Sequence, residues 1–416
     1  MSEWQTFCLK DLGKIVGGAT PPTNNPKNYG NKIAWITPKD LSTLQGRYIK
    51  KGSRSISRLG FKSCSCVLLP KHAILFSSRA PIGYVAIAEK RLCTNQDFKS
   101  IIPNKKIYFE FLYYLLKYHK NNFINMGEGT TIKGIYNIAL GLFQVKIPPT
   151  YYEQQKIART LSVLDQKIEN NHKINELLHK ILELLYEQYF VRFDFLDENN
   201  KPYQTSGGKM KFSKELNRLI PNDFEVKTLG DNPLCNTIKT GVTPFKQKVY
   251  YETKHIQETL ALNQGLKVSY SKRPNRANMQ PAIYSVWFAK MKDTKKHLFL
   301  NQHMQSWIKE SILSTGFCGL QCQKHTFEYI ASTIKYSPFE TRKNNLATGA
   351  TQKAINIEML DYIFILIPNK ELLDNYSKIT KPLYEKISNN IIETQTLTAL
   401  RDFLLPLLLK QQVKPE

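Results

Sequence analysis

Residues 153–193 read EQQKIARTLSVLDQKIENNHKINELLHKILELLYEQYFVRF. Apolar residues and two asparagines recur there at alternating spacings of four and three, which keeps one face of a helix against a partner helix. No glycine or proline occurs between residues 151 and 201, and about 40 helical residues would form a rod on the order of 60 Å long. The sequence therefore predicts a coiled-coil spacer helix with the seam Ile157, Leu161, Leu164, Ile168, Asn171, Asn175, Leu178, Leu182, Leu185 and Tyr189.

Segments elsewhere in the chain occur twice, about 220 positions apart. The openings are WQTFCLKDLG with IVGGATP (4–13 and 15–21) and FEVKTLGD with IKTGVTP (224–231 and 238–244). The closings are GTTIKGI with VKIP (129–135 and 145–148) and GATQKAI with ILIP (349–355 and 365–368). This period is far too long for a solenoid repeat, so it indicates the duplication of a unit made of one globular domain and one helix.

A second helical segment follows the second closing. Its seam residues, at nearly the same heptad positions as in the first helix, are Leu383, Ile387, Asn390, Thr394, Leu397, Leu404 and Leu408. The two helices can pair, and an antiparallel pair would relate the two domains by an approximate two-fold axis, which duplex DNA also possesses. Asn171 and Asn390 fall at corresponding seam positions, where they either determine the register of the pair or are tolerated near a solvated end.

Each globular domain is predicted to be α+β. Strands are expected at 33–36, 67–69 and 83–88, and helices at 108–120 and 305–314. The helical spacing of the aromatic residues in 108–118 favours a core face over a base-stacking surface. The predicted boundaries are a first domain at 1–150, a central spacer helix at 151–196, a polar linker at 197–220, a second domain at 221–368 and a distal spacer helix at 369–416.

Composition narrows the class of protein. The 416 residues are 42% hydrophobic, enough for two or three domains with cores of their own. The sequence has no apolar run of membrane-spanning length and no signal-peptide pattern at its start, which favours the cytoplasm. The seven cysteines are scattered and have no second ligand pair at zinc-site spacing, so we expect reduced, structural thiols.

The net charge of +25 is concentrated in the two predicted domains. Residues 1–150 contain 22 Lys and Arg against 7 Asp and Glu, and residues 221–368 contain 19 against 11. Two basic domains separated by nearly neutral helices are typical of two contact areas on a polyanion, and nucleic acid is the first candidate. An anionic membrane surface is the competitor, but the basic amphipathic helix or lipidation signal that usually accompanies it does not occur in this sequence.

The motifs of catalysis are missing from the sequence. IPPT at 147–150 lacks the polar first residue of an amino-methyltransferase tetrapeptide, and SGGKM at 206–210 lacks the earlier glycine and the final Ser or Thr of a phosphate loop. The residues Asp223, Glu225 and Lys227 contain the Glu-x-Lys of a metal-dependent nuclease. A solvated strand is the alternative interpretation, because the aspartate lies only two residues before the glutamate.

Arg, Lys, Asn and Gln on loops are the residue types that contact bases and phosphates in duplex DNA. In the second domain, the loop at 272–278 is either a basic DNA contact or a solvated turn, and Arg79 of the first domain either reaches a base or braces its turn. The threonines of the first closing suit phosphate contacts or a structural bend. The candidate DNA contacts are Lys39, Arg79, Thr130, Thr131, Lys133, Lys272, Arg273, Arg276, Asn278, Lys290, Gln352 and Lys353.

Several segments together resemble the specificity subunit of type I restriction–modification enzymes. They are the paired openings ending in Gly-x-Thr-Pro, WITPKDL (35–41), SRAPIG (78–83), TNQ (94–96) and the two Gly-x-Thr-x-Lys closings before long helices. The resemblance covers essentially the whole chain. The second domain departs from it, because it lacks the Trp-x-x-x-x-Asp and Ser-Arg-Ala-Pro-x-Gly segments.

The resemblance implies a non-catalytic subunit with two target recognition domains. Each would recognise one half of a bipartite site in double-stranded DNA, with the helices setting the gap. Two methyltransferase subunits and two ATP-driven restriction subunits are the implied partners; S-adenosylmethionine, ATP and Mg²⁺ would bind to them, and no cofactor to this chain. The alternatives are a magnesium-dependent nuclease acting alone, the recognition subunit of a fused restriction–methylation enzyme, and an RNA-binding scaffold.

Overall fold

A computed structural model describes residues 3–129, 133–257, 260–261 and 265–414. The chain divides into two compact units: unit 1 is Met1–Asn170 with Thr396–Glu416, and unit 2 is Asn171–Gln395. Both units contain strands and helices, so the mixed fold class predicted from the sequence is confirmed. Among the described residues, no helix combines the length and the apolar composition needed to cross a membrane.

The described part of unit 1 contains sheets of five, three and two strands. Its strands are β1 Gln5–Cys8, β2 Gly13–Gly17, β3 Tyr29–Ile36, β4 Tyr48–Ile49, β5 Arg54–Ile56, β6 Ile74–Phe76, β7 Val85–Ala88, β8 Cys93–Thr94, β9 Lys99–Pro103 and β10 Gln144–Ile147. Its helices are α1 Leu9–Leu12, α2 Pro38–Ser42, α3 Arg58–Lys62, α4 Phe109–Tyr118, α5 Lys120–Met126, α6 Asn137–Leu142 and the first part of α7 Tyr151–Tyr186.

The larger sheet of unit 1 has the order β2-β9-β6-β7-β4, the smaller one has the order β5-β3-β8, and β1 pairs with β10. Helix α4 packs on the larger sheet through an aromatic and aliphatic face in which Phe111, Leu112 and Tyr114 are fully buried. The interpretation of these aromatic residues as a core face is therefore confirmed, because burial of such rings is the main stabilising contribution they can make.

Unit 2 begins with the second part of α7 and contains more strands. They are β11 Met210–Ser213, β12 Arg218–Pro221, β13 Glu225–Thr228, β14 Cys235–Thr237, β15 Lys248–Tyr251, β16 Ile256–Gln257, β17 Leu260–Ala261, β18 Leu266–Val268, β19 Ala277–Met279, β20 Ser285–Ala289, β21 His297–Leu300, β22 Ser311–Ser314, β23 Phe317–Cys322 and β24 Phe364–Ile367. Its helices are α8 Gln305–Glu310, α9 Phe327–Lys335, α10 Ser337–Leu346 and the first part of α11 Lys370–Leu409.

The sheets of unit 2 repeat the topology of unit 1. The order β14-β23-β20-β21 corresponds to β2-β9-β6-β7, and β18-β15-β22, with β19 added at its edge, corresponds to β5-β3-β8. The corresponding pairs β3 with β8 and β15 with β22 are both parallel. Even the register is repeated: Gln5 faces Ile147 in unit 1, and Glu225 faces Ile367 in unit 2, each 220 positions later. The two units are therefore copies of one domain.

The two long helices, α7 and α11, have 36 and 40 residues. Within unit 1, Asp165 accepts a hydrogen bond from Arg401, and the apolar core contains both Ile157 and Leu408. Residues of α11 with higher numbers lie beside residues of α7 with lower numbers, so the two helices are antiparallel there. Within unit 2 the same trend holds, since Asn171 contacts Thr394 and Asn175 contacts Asn390.

Besides the distal spacer helix, which was expected at 369–416 and ends at Leu409, four local expectations differ from the structure. The central spacer helix, expected at 151–196, ends as an α-helix at Tyr186 and passes into a π-helical turn, Glu187–Val191. The reason is packing: Phe190 and Phe193 turn into the core of unit 2, where their rings contact Tyr376 and Phe224. Burial of these rings outweighs the continuation of the seam.

The other three differences also come from tertiary contacts. The stretch 305–314 is helical only to Glu310; Ser311–Ser314 is a buried strand between β15 and β19. Residues 67–69 form no strand and make a single bridge, between Leu69 and Leu92. The predicted linker at 197–220 contains an antiparallel hairpin, β11 with β12.

Candidate nucleic-acid interface

The residues at the two ends of the repeated closing motif form the same pair of backbone hydrogen bonds in both units. In unit 1, the N–H groups of Glu128 and Gly134 each donate to the other residue's carbonyl, at 3.0 and 2.8 Å. In unit 2, Thr348 and Ala354 exchange the same two bonds, at 3.1 and 3.0 Å. Gly349 has a φ of +129°, and a Cβ on it would lie 2.8 Å from the carbonyl oxygen of Gln352. The glycine that begins the motif is thus required by the shape of the loop.

In unit 1, the segment Ser78-Arg79-Ala80-Pro81-Ile82-Gly83 lies beside this closing loop. The N–H of Ile135 donates to the carbonyl of Ser78 at 3.0 Å, and the N–H of Ser78 donates to the carbonyl of Asp97 at 2.8 Å. The base of the segment is closed by the N–H of Ser77, which donates to Tyr84 at 2.9 Å. The segment therefore contacts both the end of the closing loop, at Ile135, and Asp97. We call this meeting point the junction of unit 1.

Unit 2 has the same junction without the sequence motif. The N–H of Ile355 donates to Lys290 at 3.0 Å, the N–H of Lys290 donates to Gly316 at 2.9 Å, and the N–H of Ala289 donates to Lys296 at 2.9 Å. Each bond has its counterpart in unit 1. Residues 290–296 are therefore the structural equivalent of 78–84. The sequence does not reveal this equivalence, because backbone hydrogen bonds place few demands on side-chain identity.

The candidate contacts of unit 1 lie on different loops. Arg79 forms an ion pair with Asp97 and keeps 43% of its side chain exposed, so it braces the junction and still presents a charged surface. Lys39 is exposed on α2. The neighbouring Asp40 caps that helix; burial raises its pKa, but hydrogen bonds from Ser53 and Thr37 outweigh burial and hold the pKa below its ordinary value.

The remaining candidates of unit 1 belong to its closing loop. Lys133 is exposed. Thr130 and Thr131 lie outside the described residues. Because Gly134 forms a bridge with Arg79, the structure brings Lys133 and Arg79 to the same junction, whereas Lys39 lies on helix α2.

In unit 2, the side chains of the basic loop at 272–278 differ in whether they bond to the loop's own backbone. The guanidinium of Arg273 lies 4.1 Å from the ring of Tyr270 and donates to the carbonyl oxygens of Tyr270 and Ala277, at 2.6 and 3.1 Å. Arg273 therefore donates hydrogen bonds to the backbone of its own loop. Lys272 and Arg276 are exposed, and Asn278 is half-buried in β19.

The other candidates of unit 2 lie at the junction. Lys290 is half-buried beside Cys318, whose pKa burial raises to about 12 while the lysine acts in the opposite direction. Gln352 donates to the sulfur of Met291 at 2.9 Å. Lys353 is exposed, and its carbonyl accepts from the N–H of Lys292 at 2.9 Å. The structure therefore brings Lys290, Gln352 and Lys353 together with Lys292, which was not among the candidate DNA contacts.

All the predicted seam residues are buried or half-buried in the structure. Those fully buried are Ile157, Leu161, Ile168, Asn171, Asn175, Leu182, Tyr189, Ile387, Asn390, Thr394 and Leu408, and those half-buried are Leu164, Leu178, Leu185, Leu383, Leu397 and Leu404. Asn171 donates to Glu393 at 2.9 Å and to Thr394 at 3.3 Å.

Buried ion pairs hold the start of α7 against the rest of unit 1. Arg47, only 3% exposed, donates to Glu110 at 2.9 Å and to Glu169 of α7 at 3.1 Å. Asp165 of α7 accepts from Tyr114 at 2.5 Å and from Arg401 at 2.8 Å. None of these charged residues was recognisable from sequence, because their partners are far apart along the chain.

The possible nuclease site does not form a cluster. Glu225 and Lys227 are exposed and lie 3.8 Å from each other, while Asp223 accepts a hydrogen bond from Asn369. Over the described part of the chain, no group of three His, Cys, Asp or Glu side chains could hold a metal ion. The seven cysteines are free thiols.

The chain is similar over its whole length to known proteins. A family model described as "Type I restriction modification DNA specificity domain" matches residues 1–180. The Type I restriction enzyme MjaIX specificity subunit of Methanocaldococcus jannaschii is 32% identical over 430 aligned residues, which cover 100% of this chain and 94% of that protein. The Type I restriction enzyme HindI specificity subunit of Haemophilus influenzae is 33% identical over 114 residues, 27% of this chain and 24% of that protein.

A solved structure has the same fold. The S subunit of a type I restriction–modification system from M. genitalium superimposes with a TM-score of 0.55 at 17% identity, covering 97% of this chain and 96% of the other. Two duplicated mixed domains joined to long helices are thus shared with that structure.

Proposed function

The chain belongs to the specificity subunits of type I restriction–modification enzymes, and we propose that it recognises a split, asymmetric DNA site. Subunits of this family recognise DNA and are not themselves catalytic. The first target recognition domain would be residues 1–150 and the second residues 221–368. The observation that carries the proposal is the duplication of one domain topology in unit 1 and unit 2. Two domains of common topology but different loop sequences suit two half-sites of different sequence.

The junctions beside the closing loops are the proposed contact surfaces. In unit 1 this surface contains Arg79 and Lys133, and in unit 2 it contains Lys290, Lys292 and Lys353. The side chain of Arg79 is 43% exposed beside Asp97, and an exposed arginine suits the edge of a guanine. The lysines at the junction of unit 2 suit phosphate groups. The exposed residues Lys39 on α2, and Lys272 and Arg276 on the loop at 272–278, would add further contacts.

The long helices are the proposed spacer. Asp165 and Glu169 of α7 are held by buried or half-buried arginines within unit 1, which would determine the direction in which the helix leaves the domain. The paired helices would then hold the two recognition domains at a defined distance from each other. On this basis the gap between half-sites depends on the number of residues in α7 and α11.

Partner subunits would supply the chemistry. We expect two methyltransferase subunits and two restriction subunits in the full cytoplasmic complex, with S-adenosylmethionine, ATP and Mg²⁺ bound by those partners. A single fused restriction–methylation partner is the alternative, and the composition of the complex purified with this chain would distinguish the two.

The decisive experiment is a map of adenine methylation in cells that contain the partner methyltransferase, with and without this chain. A split, asymmetric motif that appears only with the chain would support the proposal and reveal both half-sites and the gap. If the methyltransferase is expressed and binds the chain but no chain-dependent motif appears, the proposal is wrong. Magnesium-dependent cutting by the purified chain, abolished by Glu225→Ala, would instead support the nuclease.

A further inference from the structure

A buried charged network lies under the loop formed by residues 290–296. The side chain of Lys343 is fully buried, and its ammonium lies 2.7 Å from Glu340, 3.1 Å from the carbonyl oxygen of Ala289 and 2.9 Å from that of Thr294. Two of the ammonium's three N–H groups donate to those carbonyl oxygens, and its charge forms an ion pair with Glu340. Because Ala289 and Thr294 stand at the two sides of the loop, this one side chain holds both.

The next residue of α10 holds the middle of the same loop. Asn344 accepts from the N–H of Asp293 at 2.9 Å and donates to the carboxylate of Asp293 at 3.1 Å. Glu340 also contacts His297, at 3.0 Å. A buried ion pair adds little stability compared with apolar side chains of similar volume. A network of this kind is better explained by the position that it imposes on the exposed loop above it.

The loop places two lysines opposite each other. The bridge between Met291 and Ala354 is antiparallel, and the N–H of Lys292 donates to the carbonyl of Lys353 at 2.9 Å. Side chains at opposite positions of antiparallel strands lie on one face, with Cβ atoms about 4.5–5.5 Å apart. Both lysines are exposed, and neither ammonium has a hydrogen bond or ion pair within the described part of the chain.

Like charges at opposite positions repel and are destabilising unless an anion lies between them. Unit 1 has no such pair: its corresponding bridge, Arg79 with Gly134, places Ala80 opposite Lys133. The doubled charge is therefore particular to unit 2. A loop held by a buried network, two exposed lysines at opposite backbone positions and a basic domain together indicate a site for one phosphate group.

We propose that Lys292 and Lys353 bind one backbone phosphate of DNA between them, and that Lys343 is the positioning residue of this site. The inference rests on the proposed DNA recognition and adds to it the contact that unit 2 makes with the sugar–phosphate backbone. A phosphate contact carries no sequence information, so it sets the placement of the domain on the duplex while other side chains contact the bases.

The test uses the full chain with its methyltransferase subunit and two fluorescein-labelled duplexes, one with the methylated motif and one scrambled. Affinity is measured by anisotropy over a series of salt concentrations. Lys292→Ala and Lys353→Ala should each weaken binding about three- to ten-fold on both duplexes and reduce the slope of log affinity against log salt by about one. The double variant should lose little more than either single variant, because both lysines neutralise the same phosphate.

Lys324→Ala is the matched control. Lys324 is exposed and follows β23 at the end of the sheet where Ser285 pairs with Gln321, whereas the loop lies at the other end, where Ala289 pairs with Phe317. This variant should leave the affinity and the slope unchanged. Unchanged slopes for Lys292→Ala and Lys353→Ala, or losses confined to the motif duplex, would overturn the phosphate site. Additive losses would overturn the sharing of one phosphate.

The role of Lys343 is tested by Lys343→Met combined with Glu340→Gln, which avoids leaving a buried carboxylate alone. This double variant should lower the slope of log affinity against log salt by about one. Combined with Lys292→Ala, it should cause no further loss of DNA affinity. Lower thermal stability with an unchanged slope would show that Lys343 has a purely structural role. If this variant does not fold, the lysine pair still decides the proposal. If the unsubstituted complex does not prefer the motif duplex, the proposed function fails; if it does and the slopes stay unchanged, only this inference fails.

Discussion

The side-chain amide of Asn390 donates a hydrogen bond of 2.8 Å to the side-chain oxygen of Asn175, between the two long helices of unit 2. Both side chains are at least 95% buried. The pair lies inside a seam that is otherwise mostly aliphatic. A hydrogen bond of this kind can form in only one alignment of the two helices, so it favours a single register.

Removing one asparagine should therefore cost more than removing both. Asn175→Leu should lower the free energy of unfolding by about 1–3 kcal/mol, because the amide of Asn390 is left buried without its acceptor. Asn175→Leu with Asn390→Leu should be as stable as the unsubstituted chain or more stable. Urea unfolding followed by circular dichroism measures all three. A double variant as unstable as the single one would show that the pair contributes directly to stability.

Arg47 should be among the most sensitive positions of unit 1. Arg47→Met leaves the carboxylates of Glu110 and Glu169 without their shared cation, so we expect a loss of about 3 kcal/mol in the free energy of unfolding. Lys180→Met is the control, since Lys180 and Glu176 form an exposed pair on α7 and should contribute less than about 1 kcal/mol. Equal effects of the two substitutions in chemical unfolding would contradict the importance of the buried network.

His179 should make the stability of unit 2 dependent on pH. Burial, with smaller effects from Lys335 and His297, lowers the pKa of His179 from 6.5 to about 3. Below pH 6.5 the unfolded chain therefore binds a proton that the folded chain does not, and stability falls as the pH decreases through this window. The contribution is fully present above pH 6.5.

The loss due to His179 between pH 6.5 and pH 5 should be on the order of 1–2 kcal/mol. His179→Met removes the titrating group and should flatten the pH profile of the free energy of unfolding over that range. Parallel profiles for the two proteins would show that His179 takes up its proton without opening the fold.

The length of the paired helices should set the DNA gap. Deleting residues 172–178 together with 387–393 removes one heptad from each helix, keeps the seam in phase, and takes out Asn175 with its partner. The rod should shorten by about 10 Å, or about three base pairs, since a helix rises about 1.5 Å per residue and duplex DNA about 3.4 Å per base pair. Methylation mapping reads the gap directly. A shortened variant that methylates the original motif with the original gap would rule out the spacer role of the helices.

The sequence indicated which loops form the candidate site, but not which of their side chains are free to contact DNA. The sequence motifs identified the closing loops, and the backbone bonds of Thr348 and Ala354 repeat those of Glu128 and Gly134. The basic loop at 272–278 was ambiguous in the sequence, and the structure shows that Arg273 serves its own backbone. The sequence could not separate Arg273 from Arg276, because both have the same chemistry and only the local fold decides which guanidinium is free.

The amino-acid sequence by itself determined the duplicated plan, the seams of α7 and α11, and the concentration of positive charge in two domains. Heptad spacing, repeated motifs and charge are local properties of the chain, and they can be recognised without coordinates. Only the tertiary structure decided where α7 ends, how Arg47 and Lys343 are buried, and that residues 290–296 correspond to 78–84. These features depend on contacts between residues far apart in the chain and on backbone hydrogen bonds, which do not require a conserved sequence.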